Sequence, residues 1–150
     1  MDYFYTLRPA EAEDTGKIRK LIIRSRINPS ALDWRRFVVA VTPKNDLIGC
    51  GQIKPHRDGS HELASIAVEP EWQGHGVGRA IIEHLLESTE GVLYLMCRSS
   101  MGPLYEKFDF RVIGEAKMPK YFRRVSKLAG LIEELRSEGE TLFVMRRGSA

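Results

Sequence analysis

A glycine-rich loop in the middle of the chain has the residue types and spacing of a phosphate-binding site. Gly74, Gly76 and Gly78 fall within five residues and directly precede apolar residues at helical spacing. Glycines let the backbone approach a ligand closely and turn its N–H groups toward that ligand. The start of the following helix adds unpaired amides and the positive end of a dipole. The pattern therefore indicates binding of an anionic group such as a pyrophosphate.

Two common phosphate-binding motifs do not fit these residues. A Walker loop ends in Gly-Lys-Ser/Thr, whereas this loop continues with Arg79 and Ala80 after Gly78. A dinucleotide fingerprint needs G-x-G-x-x-G near the first strand of the chain. Here the loop lies in mid-chain, and Arg79 occupies the position of the third glycine. A nucleotide-dependent oxidoreductase is therefore disfavoured.

The loop resembles the motif Gln/Arg-x-x-Gly-x-Gly/Ala of the GNAT superfamily of acyl-CoA-dependent N-acyltransferases. Residues 73–78 fit it at every defined position, and residues 66–70 are similar to the strand ending that precedes it in the family. A second stretch, residues 104–110, is similar to the family's L-Y-x-x-x-G-F, with Asp109 where the family usually has glycine. Aspartate tolerates left-handed backbone, so we expect this turn to survive. The resemblance covers most of the chain, roughly Thr6 to Arg147.

The resemblance implies acetyl-CoA as the acyl-donor substrate and a reaction that needs no metal. Amides of the glycine loop would hold the pyrophosphate, and the end of the preceding strand would bind the pantetheine arm through main-chain hydrogen bonds. The N–H of Val68 is the candidate donor to the thioester oxygen. The predicted residues of this site are Ile66, Ala67, Val68, Gln73, Gly74, His75, Gly76, Val77, Gly78 and Arg79.

Transfer to an amine also requires a base. An alkylammonium of pKa about 10 is only about one part in a thousand deprotonated at pH 7, and a carboxylate near the amine can take the proton, directly or through water. Glu62 is the predicted base, because relatives often carry an acid on this strand. Regular strand alternation places it on one face with Ala64, Ile66 and Val68. The alternatives are a surface or structural carboxylate at this position, or Glu69, His56 or His61 as the base.

Tyr105 is the predicted acid for the leaving group. It occupies the position of the tyrosine in the family motif, and a phenol can protonate a thiolate or donate a hydrogen bond to it. The alternative is an aromatic ring that packs against Phe108 and Phe110. The resemblance implies direct transfer within a ternary complex, and no motif places Cys97 as a nucleophile.

Composition limits the function classes. A chain of 150 residues predicts one domain, with 43% hydrophobic and 29% charged residues as in ordinary globular proteins. The sequence shows no membrane-length apolar run and no signal region, so a cytoplasmic location is expected. Cys50 and Cys97 are predicted to be buried and reduced. A net charge of +3 is too mild to indicate nucleic-acid binding.

The pattern of predicted strands and helices, together with the resemblance, indicates a mixed α/β fold of the GNAT type. We expect a single N-acetyltransferase domain over residues 1–150. The expected sheet is mostly antiparallel and seven-stranded, with a parallel, splayed pair at the cofactor site and helices on both faces. Strands are predicted at residues 3–7, 37–41, 47–54, 61–68, 91–97, 110–116 and 141–146. Helices are predicted from Pro9, over residues 76–88 and over residues 100–107.

An extra helix is predicted between the last two strands, where many relatives have a hairpin. Apolar residues of Pro119–Gly139 fall mostly three or four apart, and Gly130 would bend or divide the helix. The apolar positions are Tyr121, Phe122, Val125, Leu128, Leu131, Ile132 and Leu135. We expect this face to be a lid over the acceptor site or a homodimer contact.

The acceptor is the least specified part of the site. The resemblance implies that residues 24–36 and 117–139 line it, and both segments are basic. Attraction of a small acidic amine is one interpretation, and solvated surface charges are the other. A small-molecule or amino-acid amine is the expected acceptor, with neither nucleic acid nor membrane as a partner. The alternatives are a protein or peptide amine, or a non-catalytic acyl-CoA-binding module that regulates a partner.

Overall fold

The computed structural model describes residues 3–129 and 138–148. In these ranges the strands are β1 (Thr6–Pro9), β2 (Phe37–Val41), β3 (Leu47–Pro55), β4 (His61–Val68), β5 (Leu93–Arg98), β6 (Arg111–Val112) and β7 (Leu142–Arg147). The α-helices are α1 (Thr15–Arg24), α2 (Val77–Glu87), α3 (Gly102–Glu106) and α4 (Lys120–Ala129).

The strands form one seven-stranded sheet in the order β1-β2-β3-β4-β5-β7-β6. The antiparallel pairs are β1–β2, β2–β3, β5–β7 and β6–β7. β4 and β5 are parallel, with Glu62 in register with Tyr94. The predicted mixed α/β fold, with a mostly antiparallel sheet and one parallel pair, is therefore confirmed. The splay of that pair stays a prediction.

The contacts of the described residues group into two compact units. The first unit comprises the residues up to Lys54 together with Leu63–Glu90, and the second comprises Pro55–Glu62 and the residues from Gly91 onward. In the first unit, α1 and α2 cover opposite faces of β2 and β3. Val39 packs in the core that α1 supplies, whereas its neighbour Ala40 lies on the α2 side, because successive strand residues point to opposite faces.

Two glycines of β3 let α2 lie close to the strand. A Cβ atom on Gly49 would lie 2.9 Å from Cγ1 of Val77. A Cβ atom on Gly51 would lie 2.7 Å from Cγ2 of Ile81 and 2.6 Å from Cδ1 of Ile66. These distances are below van der Waals contact, so no larger side chain fits without displacement.

The second unit is built around the pair β5–β7. Phe122 of α4 is fully buried and packs with Tyr94 of β5 and Val144 of β7. The extra helix predicted between the last two strands is therefore present over Lys120–Ala129. The continuation of its apolar face through Leu131, Ile132 and Leu135, and the break at Gly130, lie outside the described residues.

The structure corrects two predicted boundaries. β1 begins at Thr6 and includes Pro9, where a helix was expected to start. Pro9 is tolerated there because β1 is an edge strand of the sheet. The helix begins later, after a 3₁₀ turn at Ala12–Asp14 in which the Asp14 carboxylate accepts the N–H of Glu11. β6 covers only Arg111–Val112 rather than residues 110–116, because a second 3₁₀ turn follows it.

Candidate active site

The glycine loop takes the backbone conformation that its composition predicts. Gly74 and Gly76 have φ angles of 81° and 80°, in the left-handed region that other residues rarely adopt. Gly76 is the N-cap of α2, and no side chain caps it. The first helical bond runs from the N–H of Ala80 to the carbonyl of Gly76, at 3.0 Å. The amides before Ala80 therefore have no intrahelical acceptor, which is the arrangement of an anion site.

Side chains around the loop hold it in place. Gln73 donates from Nε2 to the carbonyl of Val68 at 3.1 Å, which ties the loop to the end of β4. The ring of His75 stacks on Tyr3 with centroids 3.5 Å apart, and Trp72 meets the same tyrosine edge-on at 5.1 Å. These contacts fix the loop before any ligand binds.

Arg79 and Val68, both predicted to bind the cofactor, differ in their neighbours. Arg79 is exposed and its Nε lies 3.0 Å from Oε1 of Glu83, so its charge is shared with a carboxylate one helical turn away. Val68 lines a cavity of about 230 Å³ with Gln73 and with Leu21 and Arg24 of α1. This cavity lies at the junction of β4 and the glycine loop.

β4 departs from regular alternation at Ser65. This non-glycine residue has a φ of 61° in the middle of the strand. Its hydroxyl accepts a hydrogen bond from Nε2 of the buried Gln52 at 2.9 Å, and its carbonyl accepts from Sγ of Cys50 at 3.5 Å. A left-handed residue turns the strand, so the alternation predicted from Glu62 to Val68 does not run unbroken. Glu62 is buried, whereas Ile66 and Val68 are partly exposed.

The predicted base, Glu62, lies in a buried cluster of the second unit. Its Oε1 is 2.8 Å from Nε2 of His56, and about 8% and 9% of the two side chains are exposed. His56 stacks against the ring of Tyr121 from α4. From the sequence, His56 is only an alternative base and is not placed beside Glu62. The four-residue connection between the two histidines of the β3–β4 hairpin was the signal that could have placed His56 beside Glu62.

Tyr105 lies on α3, half-buried, with its ring edge-on to Phe110 at 6.3 Å between centroids. Burial, together with the nearby Cys97, raises the pKa of the phenol to about 12, so the hydroxyl keeps its proton at neutral pH. The turn after α3 survives the aspartate, as predicted. Asp109 has a φ of 69°, and the N–H of Phe110 donates to the carbonyl of Tyr105 at 3.3 Å.

Both cysteines are buried and free, as predicted. Burial raises the pKa of the Cys50 thiol to about 12. Burial and the nearby Glu140 raise the pKa of the Cys97 thiol to about 11. A thiolate is the reactive form of cysteine, so neither side chain is an activated nucleophile at neutral pH.

The basic segments predicted to line an acceptor site are partly neutralised within the protein. Arg24 forms an exposed ion pair with Glu69. Arg35 lies 3.5 Å from the Asp33 carboxylate and over the ring of Trp34. A larger cavity of the first unit, of about 600 Å³, opens instead between the β2–β3 turn, the N-terminal residues and the segment after β4. Its lining residues are Phe4, Thr42, Pro43, Lys44, Asp46, Leu47, Ile48, Glu69, Glu71 and Trp72.

Within residues 3–129 and 138–148, no group of three or more His, Cys, Asp or Glu side chains is placed to hold a metal ion. No helix in the same part of the chain has the length and apolar character needed to cross a membrane.

A sequence model described as "Acetyltransferase (GNAT) domain" matches residues 33–112. Among solved structures, N-acetylglutamate synthase from Neisseria gonorrhoeae, in complex with coenzyme A and N-acetyl-glutamate, is similar with a TM-score of 0.71 and 19% identity. That match covers 98% of this chain and 35% of the synthase, so the chain spans about a third of the length of that relative.

Two other solved structures match over nearly their whole length. A Mycobacterium tuberculosis protein in complex with CoA has a TM-score of 0.71 and 19% identity, over 97% of this chain and 99% of that chain. The ribosomal-protein-S18-alanine N-acetyltransferase from Escherichia coli has a TM-score of 0.61 and 19% identity, over 98% of this chain and 96% of that chain. At these identities the likeness concerns the fold.

Proposed function

Because the chain belongs to the GNAT acetyltransferase family, we propose that it transfers the acetyl group of acetyl-CoA directly to a primary amine of a small molecule or amino acid. The observation that carries the proposal is the left-handed glycine loop at the start of α2. Two solved structures with this fold contain CoA, which supports CoA as the carrier of the acetyl group.

The residues of the first unit fit the anionic and amide groups of CoA. Gly74 and Gly76 turn the backbone where a pyrophosphate would meet amides, and a Cβ atom on either would meet nothing within 4 Å. The glycines are thus required by conformation rather than by space. We assign the pyrophosphate to the amides of residues 73–79 and the pantetheine arm to Ile66–Val68. The Val68 N–H is the assigned donor to the thioester oxygen.

We assign the basic site to Glu62. A neutral amine is required for attack on the thioester, and an acceptor of pKa about 10 must lose a proton first. The carboxylate is buried, so its interaction with a nearby ammonium is not screened as it would be in water. Removal of that proton frees the nitrogen lone pair to attack the acetyl carbonyl.

We assign Tyr105 to the departing sulfur. A thiol has an ordinary pKa of about 8.5, whereas the pKa of the Tyr105 phenol is raised to about 12. Complete proton transfer from the phenol to the thiolate is therefore uphill. Donation of a hydrogen bond to the developing negative charge requires no ionisation of the phenol, and this is the role that the raised pKa favours.

The state of the thiols supports direct transfer. Cys50 and Cys97 stay protonated at neutral pH because their pKa values are raised to about 12 and about 11. We therefore expect no acyl-protein when the enzyme is mixed with acetyl-CoA alone. Intact-mass measurement after rapid quenching tests this, and a stoichiometric gain of one acetyl group would refute the direct mechanism.

The acceptor class is proposed rather than fixed by the fold. The names of two relatives point to different acceptors, glutamate for one and a ribosomal protein for the other. The basic segments of this chain lean toward a small acidic amine, although Arg24 and Arg35 already have carboxylate partners. Initial rates of thiol release on a panel of amino acids, amines and peptides decide between these classes.

The experiment that tests the proposal is thermal unfolding with acetyl-CoA, CoA, NAD and ATP in parallel. A ligand present at about 100 times its Kd adds about 2.7 kcal/mol, which is roughly 5–10 °C for a domain of this size. We expect a shift with the two CoA forms alone, followed by thiol release when an amine acceptor is added. No shift with either CoA form would refute the proposal.

A further inference from the structure

His56 and Glu62 form a close, buried pair in the second unit. Nε2 of His56 lies 2.8 Å from Oε1 of Glu62, and both side chains are at least nine-tenths buried. His56 follows β3, and Glu62 lies on β4 after the tight turn between them. Hydrogen bonds of this turn, from the His56 N–H to the Ser60 carbonyl and from the Gly59 N–H to the His56 carbonyl, fix the spacing of the pair.

The start of α4 closes over this pair. The rings of His56 and Tyr121 stack with centroids 3.7 Å apart and an angle of 18°, and Phe122 meets the imidazole edge-on at 5.5 Å. The Tyr121 N–H donates to Oδ2 of Asp58 at 3.0 Å, so the helix start is bonded to the same turn. The imidazole is thus held on one edge by a carboxylate and on one face by an aromatic ring.

Three other titratable groups lie near the pair. Burial raises the pKa of the Tyr121 phenol and the Glu62 carboxylate raises it further, so this phenol is neutral. Burial opposes ionisation of Asp58, but hydrogen bonds from Ser60 and Tyr121 lower its pKa overall, so it is a carboxylate. Tyr94 of β5, in register with Glu62, adds a further phenol.

A carboxylate beside an imidazole binds a proton differently from a carboxylate alone. In general, an imidazole is a stronger base than a carboxylate. A carboxylate that accepts one ring N–H fixes the tautomer and leaves the other ring nitrogen as the proton acceptor.

We propose that His56 and Glu62 act as one base, in which Glu62 accepts the Nε2–H of His56 and the imidazole takes the acceptor's proton at Nδ1, directly or through one water. This deepens the proposed acetyltransferase function and rests on it. The carboxylate fixes the tautomer and stabilises the imidazolium, as the buried acid does in a hydrolase triad. An imidazole is a stronger base than a carboxylate, so it is better matched to an ammonium.

The proton balance of this step is complete. One N–H bond of the acceptor ammonium breaks and one N–H bond forms on His56, which frees the lone pair that attacks the acetyl carbon. The C–S bond then breaks, and the attacking nitrogen passes its second proton to the sulfur, so CoA leaves as the thiol. His56 returns its proton to solvent after the products leave.

The first test is nitrogen-15 NMR of the histidine side chains, which reports the protonated nitrogen without any need for turnover. At pH 8 we expect the Nε2–H tautomer for His56 in the wild-type protein. In Glu62→Gln the amide can donate as well as accept, so we expect the Nδ1–H tautomer to appear. The Nδ1–H tautomer in the wild-type protein would overturn the inference.

The second test is the pH profile of kcat/KM for His56→Gln, which keeps a donor to Glu62 but cannot titrate. We expect a lower rate at neutral pH and an acid limb displaced to lower pH, because a carboxylate is a weaker base than an imidazole. His84→Gln, the same substitution at an exposed position of α2, is the matched control. An unchanged limb and rate in His56→Gln would overturn the inference.

The two tests separate this inference from the proposed function. CoA binding and amine-dependent thiol release by the wild-type protein test the function, whereas the tautomer tests the pair. If His56→Gln fails to fold, the tautomer in the wild-type and Glu62→Gln proteins still decides the inference. If both variants keep turnover with the acid limb of the wild-type protein, the proposed function stands, but His56 and Glu62 are not the base.

Discussion

Replacing Gly76 with alanine should reduce the stabilisation by CoA, whereas replacing Gly91 with alanine should leave it intact. The two glycines form a matched pair, with φ angles of 80° and 89° and nothing within 4 Å of a Cβ atom on either. Alanine in the left-handed region costs about 1–2 kcal/mol, so both variants should lose a similar amount of stability. Gly76 caps α2 in the predicted anion site, and Gly91 lies in the turn before β5.

The difference between the variants should appear in binding. Alanine at position 76 relieves its strain by rotating the neighbouring peptides, which turns an amide away from the phosphate. Loss of one hydrogen bond to a charged group, about 1.5–3 kcal/mol, lowers affinity roughly 10- to 150-fold. Isothermal titration with CoA measures this loss, and thermal unfolding without ligand checks that the two stability losses agree. Equal Kd values for CoA in the two variants would refute the assignment of the loop.

Two other predictions concern the leaving group and acid stability. Tyr105→Phe keeps the ring contact with Phe110 and removes only the hydroxyl, so kcat should fall roughly 10- to 100-fold, the worth of one charged hydrogen bond, with little change in KM for acetyl-CoA. Steady-state thiol release measures this, and an unchanged kcat would remove Tyr105 from the mechanism. Asp14→Asn should cost about 2 kcal/mol at pH 7, because the hydrogen bond from Arg8 lowers the pKa of this carboxyl below its unfolded value. A depressed pKa stabilises the fold above the unfolded value of about 4 and loses that effect as pH falls through the folded value. The difference between wild type and variant in urea unfolding should therefore shrink from pH 7 to pH 3, and a constant difference would contradict this reasoning.

The sequence predicted the elements whose signals are local. Apolar periodicity placed α2 and α4, and a β-branched run placed β2 over residues 37–41, the same bounds as in the structure. Glycine spacing placed the loop directly before α2. The expectation that Asp109 keeps the turn of a glycine is confirmed by its φ of 69°. Each of these features depends on residues within about one turn of helix or one strand.

The features that the sequence did not predict depend on contacts between distant residues. The left-handed conformation of Ser65 is accompanied by bonds to Gln52 and Cys50 on the neighbouring strand, and strand periodicity carries no sign of it. The stacking of Tyr121 on His56 joins residues 65 positions apart in the sequence. The helix pattern showed that Tyr121 is on an apolar face, but it could not show which ring that face covers.

Gly49 and Gly51 of β3 have a consequence for the affinity of the protein for its acyl donor. The glycine loop continues directly into α2, and α2 rests on Gly49 and Gly51 through Val77 and Ile81. The two glycines have only a hydrogen atom where other residues have a side chain, so they set how closely α2 and the loop approach β3. A methyl group added at either position would press on these helix side chains, and any shift of the helix would carry the loop with it. We therefore expect donor affinity to respond to substitutions at Gly49 and Gly51, which lie outside the assigned donor site.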